Sequence, residues 1–187
     1  MKNKTGDLFI QIISVTIGVF LGFAISNWSE SKKETQKFNS IIKNLTSEIQ
    51  SNKTKIEEVI EYHQMLRDSS SFYLNKKELT NFKPNFFKGV NTLSFDNSVY
   101  QTAIQTGLFN DLNIQKSQAI NNIYTKQRAY EEFSNLLLSG LISMDFEPNE
   151  KSSRRIAIYL SISMTDIVYK ESQLLENMKE TLELLGK

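Results

Sequence analysis

The sequence predicts an all-α chain: an N-terminal transmembrane helix continues into a long helix, and later helices fold back as an antiparallel helical bundle. Three observations lead there. Residues 8–28 carry no formal charge. The apolar residues after them recur at alternating steps of three and four. No segment sustains a period-two alternation bounded by turn signals.

The first element runs from Leu8 to Trp28, LFIQIISVTIGVFLGFAISNW, after a short tail over residues 1–7. A helix of about 21 residues is roughly 30 Å long, the thickness of a bilayer's hydrocarbon core. Trp28 falls at the far boundary, where an indole keeps its ring apolar and its N–H wet. Two other readings of the run are a cleavable signal peptide, with Ala24-Ile25-Ser26 as a small-x-small site, and a buried core helix. The run is longer than a usual signal core. An all-round apolar helix of this length also needs a larger protein to surround it.

Within the run Ser14, Gly18, Gly22 and Ser26 recur every four residues, and Gln11 lies three before Ser14. Small residues let two helix backbones approach closely, so that dispersion drives association where the hydrophobic effect cannot; Gln11 adds a possible interhelical hydrogen bond. The expected partners are the membrane and either a second copy, in a homo-oligomer, or another membrane protein. The flanking cations, Lys2 and Lys4 before the run and Lys32, Lys33, Lys37 and Lys43 after it, favour a cytoplasmic C-terminal flank by count.

Residues 29–187 form the expected bundle domain. Phe38, Ile42, Leu45, Ile49, Asn52, Ile56, Val59, His63 and Leu66 make a coiled-coil-like heptad seam. The spacing predicts one rod from the membrane segment to about Ser69, where Asp68-Ser69-Ser70-Ser71 offers a break. Asn52 and His63 are the polar seam members, of the kind that sets register or partner number. For His63 the plainer expectation is a half-exposed imidazole at a packed seam. Residues 75–96 read as irregular, with Pro84 and Gly89 as punctuation and Phe82, Phe86, Phe87 and Phe95 pinning the loop to the bundle. A short helix follows, capped by Asp96 or Asn97 and closed by Gly107. Asn113 caps the next, from Ile114 to about Leu141. The last is expected over residues 151–185, with Leu160, Met164, Ile167, Leu174 and Met178 inward. The uncharged run from Ile156 to Thr165 is half of what a second span needs.

Composition removes many activities. With 187 residues the chain suits one ordinary domain, and a net charge of +1 gives no reason to expect nucleic acid. No Cys means no disulfide, thiolate nucleophile or Cys-ligated metal, and a single His excludes multi-His sites. Glu-x-x-His, HExxH, phosphate-loop and G-x-S-x-G patterns are all missing. The expectation is therefore no enzyme, no cofactor, no metal and no small-molecule substrate.

Two blocks of residues resemble a known group. Ile17–Glu30, IGVFLGFAISNWSE, resembles the anchor ending of small, uncharacterised bacterial single-pass membrane proteins, in which an Ile-Gly-apolar run closes with Asn and an acidic residue. Ser98-Val99-Tyr100, Thr106-Gly107-Leu108, Leu112 and Tyr124 resemble their helix–Gly–helix segment. This chain departs by Gly22, where Ala is usual, and by a shorter basic tail. The resemblance implies a bacterial inner membrane and an extracytoplasmic helical domain, and it implies no activity. The leading functional reading is a non-enzymatic, membrane-anchored interaction or scaffold protein. An oligomeric channel whose wall is Gln11, Ser14 and Thr16 is the alternative. A ligand-sensing bundle is a third.

Overall fold

The computed structural model describes residues 4–75 and 87–186, and it is all-helical as the sequence predicts. Four α-helices occur in order: α1 (Lys4–Asn75), α2 (Ser98–Gln105), α3 (Ile114–Ile142) and α4 (Glu150–Leu185), with a 3-10 turn at Leu108–Asp111 between α2 and α3. Among the described residues there is no strand. The chain divides into two compact units, Met1–Lys43 and Asn44–Lys187.

In the first unit the large apolar residues from Phe9 to Trp28 are between 46% and 72% exposed. Helix α1 begins at Lys4, within what the sequence sets apart as a tail. It is the one described helix long and apolar enough to cross a membrane. The Lys32 ammonium lies 5.4 Å over the Trp28 ring, a cation–π contact at the charged end of the run.

The second unit is a bundle of α3, α4 and the part of α1 after Asn44. His63 meets Glu171 and Ser71 meets Ser161, so α4 descends as α1 rises. Asn122 meets Asn177 and Tyr159 meets the Leu137 carbonyl, so α3 and α4 are antiparallel as well. The core is the set the periodicity marks: Leu45, Ile49, Ile56 and Leu66 of α1, Ile120, Ile123, Tyr130 and Leu137 of α3, and Leu160, Met164, Ile167, Leu174 and Met178 of α4. Phe133, Ile156, Leu175 and Leu182 pack around it, half-buried.

Several boundaries differ from expectation for local reasons. Helix α1 passes through Asp68–Ser71 and ends at Asn75. Tertiary contact overrides the poor helix propensity there: Ser70 is buried and the Ser71 hydroxyl bonds that of Ser161. Gly107 closes α2 in the left-handed region, φ +73°, as a helix-ending glycine does. The Asn113 side chain accepts from the Gln115 amide and that of Asn149 from the Ser152 amide, capping α3 and α4. Asn97 occupies the N-cap position of α2 with no side-chain cap bond; its capping group comes from α1. Of the phenylalanines expected to pin the loop, Phe95 is buried and Phe87 partly so, while Phe82, Phe86 and Pro84 lie outside the described residues.

One glycine is required by packing. A Cβ at Gly140 would lie 2.1 Å from the Tyr159 hydroxyl oxygen and 2.8 Å from the ring carbon bearing it. That notch in α3 lets Tyr159 of α4 reach across and donate to the Leu137 carbonyl at 3.0 Å.

Candidate functional site

Two constellations stand out, one in each unit. The first is the small-residue stripe of α1. At 100° per residue, Gln11, Ser14, Gly18, Gly22 and Ser26 fall within an arc of about 120°. Every one of them is exposed. A Cβ at Gly18 or Gly22 would meet nothing within 4 Å. Among the described residues their smallness therefore serves no contact, in contrast to that of Gly140. The Thr16 hydroxyl donates to the Ile12 carbonyl at 2.8 Å, so this side chain is spent on its own helix.

The second is a polar ladder along the α1 seam that holds residues 88–97. This segment, without helix or strand of its own, crosses α1 and α3 as a strap. Every hydrogen bond its backbone makes, from Lys88 to Asp96, goes to a side chain of a helix. Tyr62 accepts from the Lys88 amide at 2.9 Å and donates to the Gly89 carbonyl at 2.6 Å. The His63 Nε2 faces the Val90 carbonyl at 2.8 Å. Lys55 reaches the Ser94 carbonyl and, at 2.8 Å, the Asp96 carboxylate. Glu131 of α3 accepts from the Phe95 amide at 2.8 Å. The Asn52 amide closes a two-bond ring on Asp96, donating to its carbonyl at 2.7 Å and accepting from its N–H at 2.9 Å. Gly89 at φ +95° and Asn91 at φ +50° bracket Val90 and turn it into the core; glycine and asparagine are residues that tolerate that region.

Beyond the strap, Glu48 takes over the N-terminus of α2. Its carboxylate accepts from the Val99 amide (2.8 Å), the Tyr100 amide (3.2 Å), the Ser98 hydroxyl (3.3 Å) and the Tyr124 phenol (2.6 Å). An anion there satisfies amides that an α-helix leaves free and faces the positive end of its dipole. A helix of eight residues does not stand alone in water, so α2 depends on this residue from α1. The Tyr100 and Tyr124 rings stack at 3.9 Å.

At the other end lies a buried charge cluster. His63 Nδ1 is 2.7 Å from Glu171 Oε1, which also accepts from the Tyr130 phenol at 3.0 Å. All three side chains are buried, His63 and Glu171 completely. A carbonyl only accepts, so His63 Nε2 must carry a proton toward Val90. One further proton then lies between Nδ1 and Oε1, on imidazolium facing carboxylate or on a neutral acid facing imidazole. Glu171 Oε2 and both amide atoms of Gln127 are buried without a hydrogen-bond partner.

The surroundings also tune the tyrosines. Burial first, and then the Glu48 carboxylate, push the Tyr124 phenol well above its ordinary value. Burial first, and then Glu171, do the same to Tyr130. Burial raises Tyr100 as well, against the nearby positive charge of Arg128. These phenols stay protonated as donors throughout the neutral range.

Of the polar seam residues the sequence marks, Asn52 and His63 are both completely buried. His63 is thus not the half-exposed imidazole expected. The groups they bind belong to this chain's own strap, with Glu171 besides. Sequence reasoning passed over Glu48, Tyr62, Glu131 and Glu171, and it reads Tyr130 as a core position only. Two had a visible signal: Ile167, Glu171, Leu174 and Met178 share a stripe at steps of four, three and four, and Glu48 lies between Leu45 and Asn52 at steps of three and four. A carboxylate at an inward position announces a buried partner. Among the described residues no group of three or more His, Asp or Glu is placed to hold a metal ion. No protein-family model, curated protein or solved structure matches the chain.

Proposed function

We propose that this protein is a non-enzymatic, membrane-anchored helical interaction protein that associates through its N-terminal helix with a second copy of itself. The observation carrying this reading is the pair Gly18 and Gly22, exposed and with open space where a side chain would stand. Around them, the large apolar residues from Phe9 to Trp28 lie uncovered, a surface suited to hydrocarbon and unsuited to water. In hydrocarbon, a groove of small residues gains dispersion contact when a second helix enters it. The spent hydroxyl of Thr16 favours this over a polar pore wall. The bacterial inner membrane and an extracytoplasmic bundle follow from the resemblance of Ile17–Glu30 to that anchor family, and a side-selective reporter fused after Lys187 tests the side.

The experiment is cross-linking in native membranes. Gly18→Ile together with Gly22→Ile abolishes the cross-linked dimer and leaves the far-UV circular dichroism of the bundle unchanged. An undiminished dimer in the double variant removes the assigned role of the stripe. Recovery of the intact full-length chain in the supernatant of sedimented lysate removes the anchor itself.

A further inference from the structure

We propose that the polar ladder on α1 and α3 is a recognition groove for an extended polypeptide segment, occupied in cis by the strap and open to a partner segment of the same pattern. That pattern is an aliphatic residue followed five positions later by an aromatic and then an acidic residue, as in Val90, Phe95 and Asp96.

Three features separate this groove from an ordinary loop contact. First, the floor reads main chain. Asn52 matches both the N–H and the C=O of one residue, Tyr62 takes an N–H and a C=O from successive residues, and His63 and Glu131 take one group each. Main-chain groups are common to every polypeptide, so such a floor sets direction and register while a few side chains set identity. Asn52 pairs with Asp96, Lys55 with Ser94 and His63 with Val90, so α1 is read along its length, antiparallel to the strap.

Second, identity rests on three contacts. Val90 and Phe95 are the strap's buried side chains. Phe95 packs edge-on to Tyr130, with ring centroids 5.4 Å apart. Asp96 pairs with the Lys55 ammonium.

Third, the strap is separable. From Lys88 to Asp96 it makes no backbone–backbone bond to the described helices; it is joined to them at Asn97, whose carbonyl accepts from the Gln101 amide at 2.9 Å as the first bond of α2. The groups it uncovers include an amide, an imidazole, a phenol and a carboxylate, which water satisfies as readily as a peptide does. Its two core side chains, Val90 and Phe95, leave apolar pockets that a segment of the same pattern refills. The strap holds its place as a tethered ligand, at the high effective concentration its covalent links provide. An untethered segment of equal chemistry competes for the same groups.

The test uses the full-length chain in mild-detergent micelles and a fluorophore-labelled peptide of residues 88–97, KGVNTLSFDN, with a scrambled peptide of the same composition as control. Val90→Ser with Phe95→Ser weakens the chain's own strap. The labelled peptide then binds by anisotropy at least ten-fold more tightly to this variant than to the unaltered chain. Adding Asn52→Ala weakens that binding at least ten-fold. A weakened-strap variant with unaltered helix content that does not bind the peptide overturns the proposal. So does binding equal to that of the scrambled peptide, or binding that ignores Asn52. Hydrogen exchange of the unaltered chain gives a reading that needs no variant. The amides of Lys88, Phe95 and Asp96 exchange at least ten-fold faster than the core amides of α3 and α4. Exchange of the two sets together, in one global event, overturns the proposal.

Discussion

Replacing Glu171 by Leu probes the buried cluster most directly. The carboxylate is completely buried and its Oε1 serves both His63 and Tyr130. Leucine is close in volume, so the change removes charge and acceptor while leaving the packing nearly filled. His63 Nδ1 and the Tyr130 hydroxyl are then stranded, and breaking one side of a buried pair costs about 3–5 kcal/mol. At about 2–4 °C per kcal/mol for a domain of this size, melting falls by about 6–20 °C. His63→Leu alone costs a similar amount, since it leaves an uncompensated carboxylate and an unpartnered Val90 carbonyl. The double variant removes both partners of the pair. Its remaining losses are the Val90 carbonyl and the Tyr130 hydroxyl, at about 1–3 kcal/mol each, offset in part by apolar packing. We expect the double variant to lose about 2–4 kcal/mol, against an additive sum of roughly 6–10 kcal/mol. Near-UV circular dichroism follows the melt through the core tyrosines. Additive losses, or a single Glu171→Leu cost below about 1 kcal/mol, would refute the reasoning from a coupled buried pair.

Other consequences follow from the same geometry. Gly140→Ala, which on an open helix gains about 0.5–1 kcal/mol, here lowers stability by about 1–3 kcal/mol because its Cβ meets Tyr159; Tyr159→Phe in the same chain shrinks that loss, as thermal melts of the four variants will show. The raised phenols of Tyr124 and Tyr130 fix the alkaline limit. Both ionise more readily in the unfolded chain, so their contribution is complete below about pH 10 and is lost above it, at about 2.7 kcal/mol per pH unit for the two together. A titration followed by phenolate absorbance and near-UV circular dichroism should show both signals changing together; phenolates that form while the fold persists contradict it. Glu48→Ala costs about 1–3 kcal/mol and speeds hydrogen exchange at Val99 and Tyr100, whereas unchanged exchange there means α2 does not depend on the α1 carboxylate.

What could be read in the sequence divides by the range of the interaction that decides it. Helix identity and the inward faces were legible, because a core stripe repeats every three or four residues and each repeat confirms the last. Ile120, Ile123, Tyr130 and Leu137, or Leu160, Met164 and Ile167, are decided by their own neighbours in the chain. The cap at Asn113 and the turn at Gly107 are local in the same sense. The polar site is of another kind. Asn52 stood out as an amide in an apolar seam, yet its partner is Asp96, 44 residues on. His63 finds Val90 27 residues away and Glu171 108 residues away. No periodicity encodes such pairings.

The misreading that follows is instructive in physical terms. A polar group on a helix seam must be satisfied once it is buried, and the seam pattern alone offers a second helix as the source of that satisfaction. Here the source is an extended segment of the same chain, which has no period of its own to betray it. Of the strap's three positions of identity, the sequence reads Phe95 as a pin on the bundle and Asp96 as a candidate cap of α2, and it gives Val90 no role. Placed opposite Asn52, Lys55, Tyr62 and His63, they become the complement of a helix face. The polar seam of α1 therefore codes for a backbone-reading surface, and the apolar positions between its members, Leu45, Ile49 and Ile56, code for the bundle that keeps that surface in place.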